Sequence, residues 1–336
     1  QFLYWLLDSG TQPEDGPAPL LDPLAEAAEE LLLDPTFLDD IRHLLEETRQ
    51  VIFFGPPGTG KTFVAQRLAD ALAGDPTRTM LVQFHPATSY EDFFEGFRPI
   101  SAADGQIAYA LQDGPLRIMA AAAESDPSHT YILVIDEINR AQLQKVLGEL
   151  FFLLEYRDKT VRPLYRPDEP FSLPTNLWLI GTMNTADRSI AVVDTALRRR
   201  FQFVPFVLDD RADNPIAGLL RRWLHAHSEP EWVADLVDQV NQELVKALGM
   251  GDLAIGPSYF MVKDLNEARL RRIWRYRIEP LVEDMFFGEP EKSEPFRFDN
   301  VWQQFQAVGG TAAEEPDASG TADPGESFAD EAAHHT

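Results

Sequence analysis

Residues 55–62 read Gly-Pro-Pro-Gly-Thr-Gly-Lys-Thr and fit the pattern G-x-x-x-x-G-K-[ST]. An apolar run precedes them and a helical pattern follows, which is the context that this pattern requires. Glycines let successive backbone N–H groups point at one anion, and the start of the helix adds partial positive charge. The pattern therefore predicts a site for the phosphates of a nucleoside triphosphate. The predicted contacts are Gly55, Pro56, Pro57, Gly58, Thr59, Gly60, Lys61, Thr62 and Phe63.

Two acids and an amide follow apolar runs further along the chain. Asp136 and Glu137 come directly after "YILVI", and Asn184 ends "LWLIGTMN". The carboxyl ends of parallel strands are where ligands bind, so these side chains are expected beside the phosphates. Asp136 is predicted to hold Mg²⁺ together with Thr62. Glu137 is predicted to orient and deprotonate the attacking water, and Asn184 to hold that water in place.

Three consecutive arginines, Arg198, Arg199 and Arg200, lie at the end of a predicted helix. One or two of them, with Arg198 and Arg199 as the candidates, are predicted to reach a phosphate in a neighbouring subunit. An arginine in that position stabilises the charge that develops during phosphoryl transfer. Arg140, three residues after Glu137, is a second candidate for this role. The alternative is that the run is simply a solvated basic helix end.

Predicted strands and helices alternate along the part of the chain that contains these residues. Apolar runs at residues 51–54, 79–84, 131–136 and 177–184 predict strands that are covered on both faces, and residues 61–74 predict a helix. Such alternation indicates an α/β fold with a parallel sheet. Asp104–Gly105 ahead of alternating apolar residues predicts a hairpin. Four regions result: an acidic leader or linker at 1–35, an α/β core at 36–208, a helical domain at 209–306 and an acidic, disordered tail at 307–336.

The composition favours a globular protein. The chain has 336 residues, 44% of them hydrophobic, and no cysteine, which excludes disulfides and thiolate metal sites. No run is long and apolar enough to cross a membrane, so a cytoplasmic location is expected. The net charge is −26, but seventeen acids and no Lys or Arg lie in residues 1–41 and 311–336. We expect these two ends to be solvated and flexible.

The motifs occur in the order typical of one family. "RQVIFFGPPGTGKT", "VQFHPATSYEDFFEGFRP", "DEINRA", "GTMNTADRSIAVVDTALRRRF" and "IGPSYFM" together resemble the McrB family of the AAA+ superfamily. The resemblance covers roughly residues 36–305. It implies an AAA+ P-loop core with a parallel sheet flanked by helices, followed by a small all-helical lid. The last motif departs from the family in having Pro257 where His is usual.

The resemblance also implies an activity and partners. Members of the family are motor subunits of modification-dependent restriction systems. These subunits hydrolyse GTP with Mg²⁺ in a hexameric ring. Their partner is an McrC nuclease subunit, and DNA is contacted through a separate N-terminal domain. Since the chain starts at Gln1 and has acidic flanks, that domain is expected to have been removed or replaced, and this chain alone is expected to bind DNA poorly. ATP instead of GTP, an ATP-driven MoxR-like protein remodeller and a nucleotide-gated assembly scaffold remain alternatives.

Overall fold

The computed structural model describes residues 22–101, 106–185, 195–208, 214–249, 253–286 and 289–309. Residues 1–21 of the predicted leader or linker, the Asp104–Gly105 turn and residues 310–336 of the predicted tail lie outside these ranges. Within the described ranges, no helix has the length and apolar character that a bilayer crossing needs.

A five-stranded parallel sheet forms the centre of the first domain. The four strands predicted from apolar runs are all present in it. A fifth, which the sequence analysis missed, is only four residues long, with two of them half-buried, one exposed and one buried. The strand order is β2-β5-β6-β1-β7, where the chain's strands are β1 (Gln50–Gly55), β2 (Thr79–Gln83), β3 (Glu95–Ser101), β4 (Ile107–Asp113), β5 (Tyr131–Asp136), β6 (Leu177–Asn184) and β7 (Gln202–Pro205).

Side chains alternate between the two faces of each strand, and both faces are covered by helices. On one face, Val51 and Phe53 of β1 pack with α1 (Pro23–Leu31), α2 (Pro35–Thr48) and α3 (Lys61–Ala73). On the other face, Ile52 packs with α4 (Tyr90–Phe93), α5 (Pro115–Ser125), α6 (Leu143–Leu147) and Leu197 of α7 (Thr195–Arg198). This double cover explains why the strands read as continuous apolar runs.

The first two helices each begin with a proline that follows an aspartate N-cap. The carboxylates of Asp22 and Asp34 accept hydrogen bonds from backbone N–H groups in the first turns of α1 and α2, and each helix starts with proline. The described part of the predicted leader therefore includes α1, which packs against α3 in the core of the domain. The domain limits themselves remain predictions.

The predicted hairpin is confirmed as the antiparallel pair β3–β4, which forms a separate sheet. Its base is tied to the domain by buried Glu95 at the start of β3. The Glu95 carboxylate pairs with Arg117 of α5 at 2.9 Å and with Arg166 at 3.1 Å. The far end of the hairpin exposes Ile107 and Tyr109.

The regular secondary structure in the described residues of the second domain is all helical, and the domain has its own core. Trp274 is fully buried at its centre and donates a hydrogen bond to the Phe296 carbonyl at 2.9 Å. Trp274–Ile278 form a π-helical turn that joins two α-helices without a break. The α-helices are α8 (Leu219–Ala226), α9 (Trp232–Leu248), α10 (Glu267–Ile273), α11 (Glu279–Met285), α12 (Pro290–Ser293) and α13 (Phe298–Ala307).

Candidate functional site

The phosphate loop lies between the last residue of β1 and the first residue of α3. Gly58 and Gly60 have φ angles of 78° and 87°, in the left-handed region that glycine adopts without strain. Gly58 is also close to the second domain, because a Cβ there would lie 2.6 Å from a ring carbon of Tyr259. Glycine at position 58 therefore serves both the loop conformation and an interdomain contact.

Lys61 turns its side chain into this loop. Its Nζ donates to the carbonyls of Gly55 at 3.0 Å and Pro56 at 2.6 Å, and the residue is 6% exposed. Burial lowers the pKa of Lys61 to about 8, against the opposite effect of the charges of Glu137 and Asp136. The lysine is thus a buried cation held among the loop's own oxygens, at the place where the motif requires one.

Asp136, the last residue of β5, joins three elements. Its Oδ1 accepts hydrogen bonds from the hydroxyls of Thr62 and Thr182, each at 2.6 Å. Its Oδ2 accepts from the Gln83 side chain at 3.2 Å. A hydroxyl and a carboxylate side by side are ligands that suit Mg²⁺. The described residues contain no cluster of three or more acids, histidines or cysteines that could hold a metal alone, so Mg²⁺ held by Thr62 and Asp136 would also need phosphate oxygens.

Glu137 has an uncommon backbone conformation, with φ 52° and ψ 44°. A non-glycine residue in the left-handed region carries strain and persists only where its surroundings enforce it. The Glu137 backbone N–H donates to the Thr182 hydroxyl at 3.2 Å. Its Oε1 accepts from Asn184 Nδ2, and its Oε2 accepts from Arg140 Nε at 3.3 Å. The turn therefore points the Glu137 carboxylate at Asn184, across the ends of β5 and β6.

Most of the predicted site residues are brought together. Lys61, Thr62, Asp136, Glu137 and Asn184 lie at the carboxyl edge of the sheet, and Arg140 contacts Glu137 in the same chain. Phe63 is half exposed beside the loop, with the Arg67 guanidinium 5.4 Å from its ring centre. The assignment of each of these residues to a role in binding or catalysis remains a prediction.

The arginine run lies elsewhere. β7 is parallel to β1, with Gln202 level with Val51, so the residues before β7 lie at the amino edge of the sheet. Arg198 and Arg199 are exposed there, whereas Arg200 is partly buried and pairs with Glu155 at 2.8 Å. The Arg198 guanidinium lies 5.4 Å from the centre of the Phe203 ring, and Phe203 is level with Ile52, three residues before the start of the phosphate loop.

The second domain contacts the phosphate loop directly. The Ser258 backbone N–H donates to the Gly58 carbonyl at 3.0 Å. Gly256 lies so close that a Cβ there would be 2.2 Å from the Gly58 carbonyl carbon. Pro257, where the sequence departs from the family pattern, is buried and opens the short 3₁₀ turn Pro257–Tyr259. The hydrogen bond between Ser258 and Gly58 joins main-chain atoms, so it uses no side-chain atom of the residue at position 257.

Two family models match the chain in the order of the two domains. One, described as an AAA domain of the dynein-related subfamily, matches residues 50–201, and the other, described as the α-helical lid domain of McrB, matches residues 233–294. The type IV methyl-directed restriction enzyme EcoKMcrB subunit of Escherichia coli strain K12 is 38% identical over 290 residues. The chain belongs to the McrB family.

The relatives of this McrB-family chain differ in how much of their length is shared. The alignment with the Escherichia coli subunit covers 81% of this chain and 61% of that protein. The type II restriction enzyme BsuMI component YdiS of Bacillus subtilis strain 168 is 26% identical over 255 residues, 65% of this chain and 74% of that protein. Cortactin-binding protein 2 of Echinops telfairi is 25% identical over 275 residues, but these are only 16% of that protein.

Three polar residues of the McrB-family site escaped the sequence analysis. Thr182 and Gln83 contact Asp136, and Asn139 donates to the Asn184 carbonyl at 3.3 Å. Thr182 carried a usable signal, since it is a polar residue inside a strand that is otherwise apolar and buried, where a hydroxyl needs a partner. Gln83 and Asn139 carried none, because their contacts depend on which strands become neighbours.

The low pKa of Lys61 predicts that nucleotide binding is coupled to proton uptake. Phosphates stabilise the charged ammonium, so nucleotide binding raises the Lys61 pKa above 8. At pH 9, binding of a purine nucleoside triphosphate with Mg²⁺ should therefore take up a proton, and affinity should fall as pH rises through 8. Calorimetry in buffers of different ionisation enthalpy measures this uptake. Lys61→Arg, which stays charged, should bind without it; equal uptake by the variant would contradict the assignment.

Proposed function

We propose that this chain is the nucleoside triphosphatase motor of a modification-dependent restriction system, acting on GTP. One observation carries the proposal: the Glu137 carboxylate is held by Asn184 at the sheet edge where Lys61, Thr62 and Asp136 meet. Binding alone needs only the loop and Asp136. A second carboxylate, oriented by an amide and aimed at the same edge, is what hydrolysis needs in addition.

Each residue has a separate task in the proposed reaction. Lys61 and the loop amides bind the β- and γ-phosphates, and Thr62 and Asp136 hold Mg²⁺, whose charge offsets that of the phosphates. Asn184 orients a water against the γ-phosphorus. As the water oxygen bonds to phosphorus, the bond to the β,γ-bridging oxygen breaks, and Glu137 takes the water's proton. The Arg140 contact at Glu137 Oε2 leaves Oε1 to face Asn184 and the water.

Glu137→Gln tests the base. The amide keeps the size and contacts of the side chain but cannot accept the proton, so hydrolysis should fall by about 10²–10⁴-fold. Nucleotide affinity should stay the same, because Lys61 and Asp136 are untouched. Phosphate release and equilibrium binding measure the two quantities. Glu124→Gln on the exposed side of α5 is the matched control. Normal turnover by Glu137→Gln would remove Glu137 from the mechanism.

The position of the arginine run supports action between copies of the chain. The Arg200 carbonyl is level with Gln50, and the phosphate loop starts at Gly55, so five residues of β1 separate them. At about 3.3 Å per residue this is roughly 16 Å. The Arg198 guanidinium itself lies against the ring of Phe203, which is level with Ile52, so roughly 10 Å of β1 still separates it from Gly55. Arg198 and Arg199 would thus serve a neighbouring copy, in a ring.

A mixing experiment tests this arrangement. The variant with both Arg198→Ala and Arg199→Ala should lose about 10³–10⁵-fold in hydrolysis while still binding nucleotide, because the arginines meet charge that develops only in the transition state. Adding Glu137→Gln copies should restore activity, since they supply the arginines while the first copies supply Glu137. Arg272→Ala, an exposed arginine of the lid, is the control. Full activity of the double variant would instead support the alternative that the three arginines are a solvated basic helix end.

The nucleotide and the partner rest on family membership. Both restriction-enzyme relatives support a role in restriction, and the McrB resemblance supports GTP, a ring that is hexameric and an McrC-like nuclease partner. DNA would be reached through another domain or through that partner.

Comparing GTP with ATP hydrolysis over a protein concentration series, with and without the nuclease, tests these points together. We expect faster hydrolysis of GTP, a steep rise with concentration as rings form, and stimulation by the nuclease. Preference for ATP with no nuclease effect would favour the protein remodeller instead. Assembly on nucleotide without turnover would favour the scaffold.

A further inference from the structure

A buried polar cluster lies at the amino edge of the sheet, the edge away from the phosphate loop. Its centre is Gln50, the first residue of β1, which is 2% exposed. Gln50 Nε2 donates to the carbonyls of Leu154 at 2.7 Å and Arg200 at 2.6 Å. Gln50 Oε1 accepts from Arg157 Nη2 at 2.7 Å. One amide therefore links the first residue of β1 to two other segments of the chain.

Arg157 determines which way this amide points. Its guanidinium is buried, and Nη1 donates to the carbonyls of Pro174 at 3.0 Å and Leu177 at 2.9 Å. A guanidinium only donates, so the atom of Gln50 that faces it must be the oxygen. The NH₂ group of Gln50 is consequently aimed at the carbonyl of Arg200. The acceptors of Arg157 and Gln50 in this cluster are carbonyl and amide oxygens, so the cluster is held by hydrogen bonds and not by ion pairs.

Arg200 is held from its side chain as well as from its main chain. Its guanidinium pairs with Glu155 at 2.8 Å and lies 4.3 Å from the centre of the Phe151 ring. Arg198 and Arg199, the two residues immediately before it, are exposed. Arg200, which follows the exposed pair, is thus held through its main-chain carbonyl and through its side chain. A basic helix end that is free to move in solvent would have neither contact.

We propose that Gln50, together with Glu155, positions Arg198 and Arg199 for the active site of a neighbouring copy. The inference rests on the proposed function, since it assumes that these arginines act between copies. Gln50 touches no reacting atom; it acts through the Arg200 carbonyl. A misplacement of about 1 Å can lower a rate about 10²-fold, so anchoring Arg200, the residue after the pair, to β1 has a direct effect on turnover.

Gln50→Glu is the most informative variant. The carboxylate still accepts from Arg157 but cannot donate to the Leu154 and Arg200 carbonyls, so it removes the tie to the arginine run. We expect hydrolysis of GTP, or of ATP if that is the better substrate, to fall by about 10–100-fold with unchanged nucleotide affinity. Thr48→Val is the control, because the Thr48 hydroxyl contacts the Gln50 carbonyl and not its side chain. Equal rates for the two variants would overturn the inference.

Mixing separates positioning from a general defect. Gln50→Glu copies retain Glu137, so adding Glu137→Gln copies, which carry correctly placed arginines, should restore hydrolysis. No restoration of Gln50→Glu, when the Arg198→Ala/Arg199→Ala variant is restored, would show that Gln50 serves its own site and would overturn the inference. Failure to restore the double arginine variant would instead refute the arrangement under Proposed function.

Glu155→Ala keeps the test available if Gln50→Glu does not fold. The Glu155 side chain is 43% exposed, and the Arg200 guanidinium keeps its contact with the Phe151 ring when the Glu155 carboxylate is removed. We expect a smaller loss of hydrolysis, unchanged nucleotide affinity and the same restoration by Glu137→Gln copies. Full activity, or a loss that mixing does not restore, would overturn the proposal.

Discussion

The carboxylate of Asp136 is the interaction on which the site depends. It accepts hydrogen bonds from Thr62, at the start of α3, and from Thr182, near the end of β6. The same Thr182 hydroxyl accepts the backbone N–H of Glu137 in its strained turn. A short hydroxyl–carboxylate network therefore determines where the phosphate loop, the metal ligands and Glu137 lie relative to one another. Hydrogen bonds to a charged acceptor are among the stronger ones, which suits a network that must hold a strained residue.

The sheet gives the molecule two chemically different edges. At the carboxyl edge, a buried lysine and the two acids Asp136 and Glu137 lie together. At the amino edge, Arg157 and Gln50 form a buried polar cluster beneath two exposed arginines. β1 reaches both edges, since Gly55 begins the loop and Gln50 contacts Arg200. In a parallel sheet the strands all point one way, so the two edges are never equivalent. In the ring that we propose, one edge would face the other edge of a neighbouring copy.

The lid meets the loop through main-chain atoms. The Gly58 carbonyl accepts from the Ser258 N–H, and neither Gly58 nor Gly256 leaves room for a side chain between them. A change in the loop on nucleotide binding would therefore reach the helical domain directly. That domain has its own aromatic core around Trp274.

The phosphate loop, the Asp136–Glu137 pair, four of the five strands of the main sheet and the family could be predicted from the sequence, because these depend on local spacing and on apolar runs. The sequence did not predict β7, which is too short to show a pattern, and it did not predict that Gln83, Thr182 and Gln50 belong to the polar networks. Those contacts follow from the strand order β2-β5-β6-β1-β7, which brings together residues far apart in the chain. Arg198 and Arg199 lie away from the phosphate loop of their own chain. The sequence could not predict this position, because it depends on the parallel register of β7 with β1.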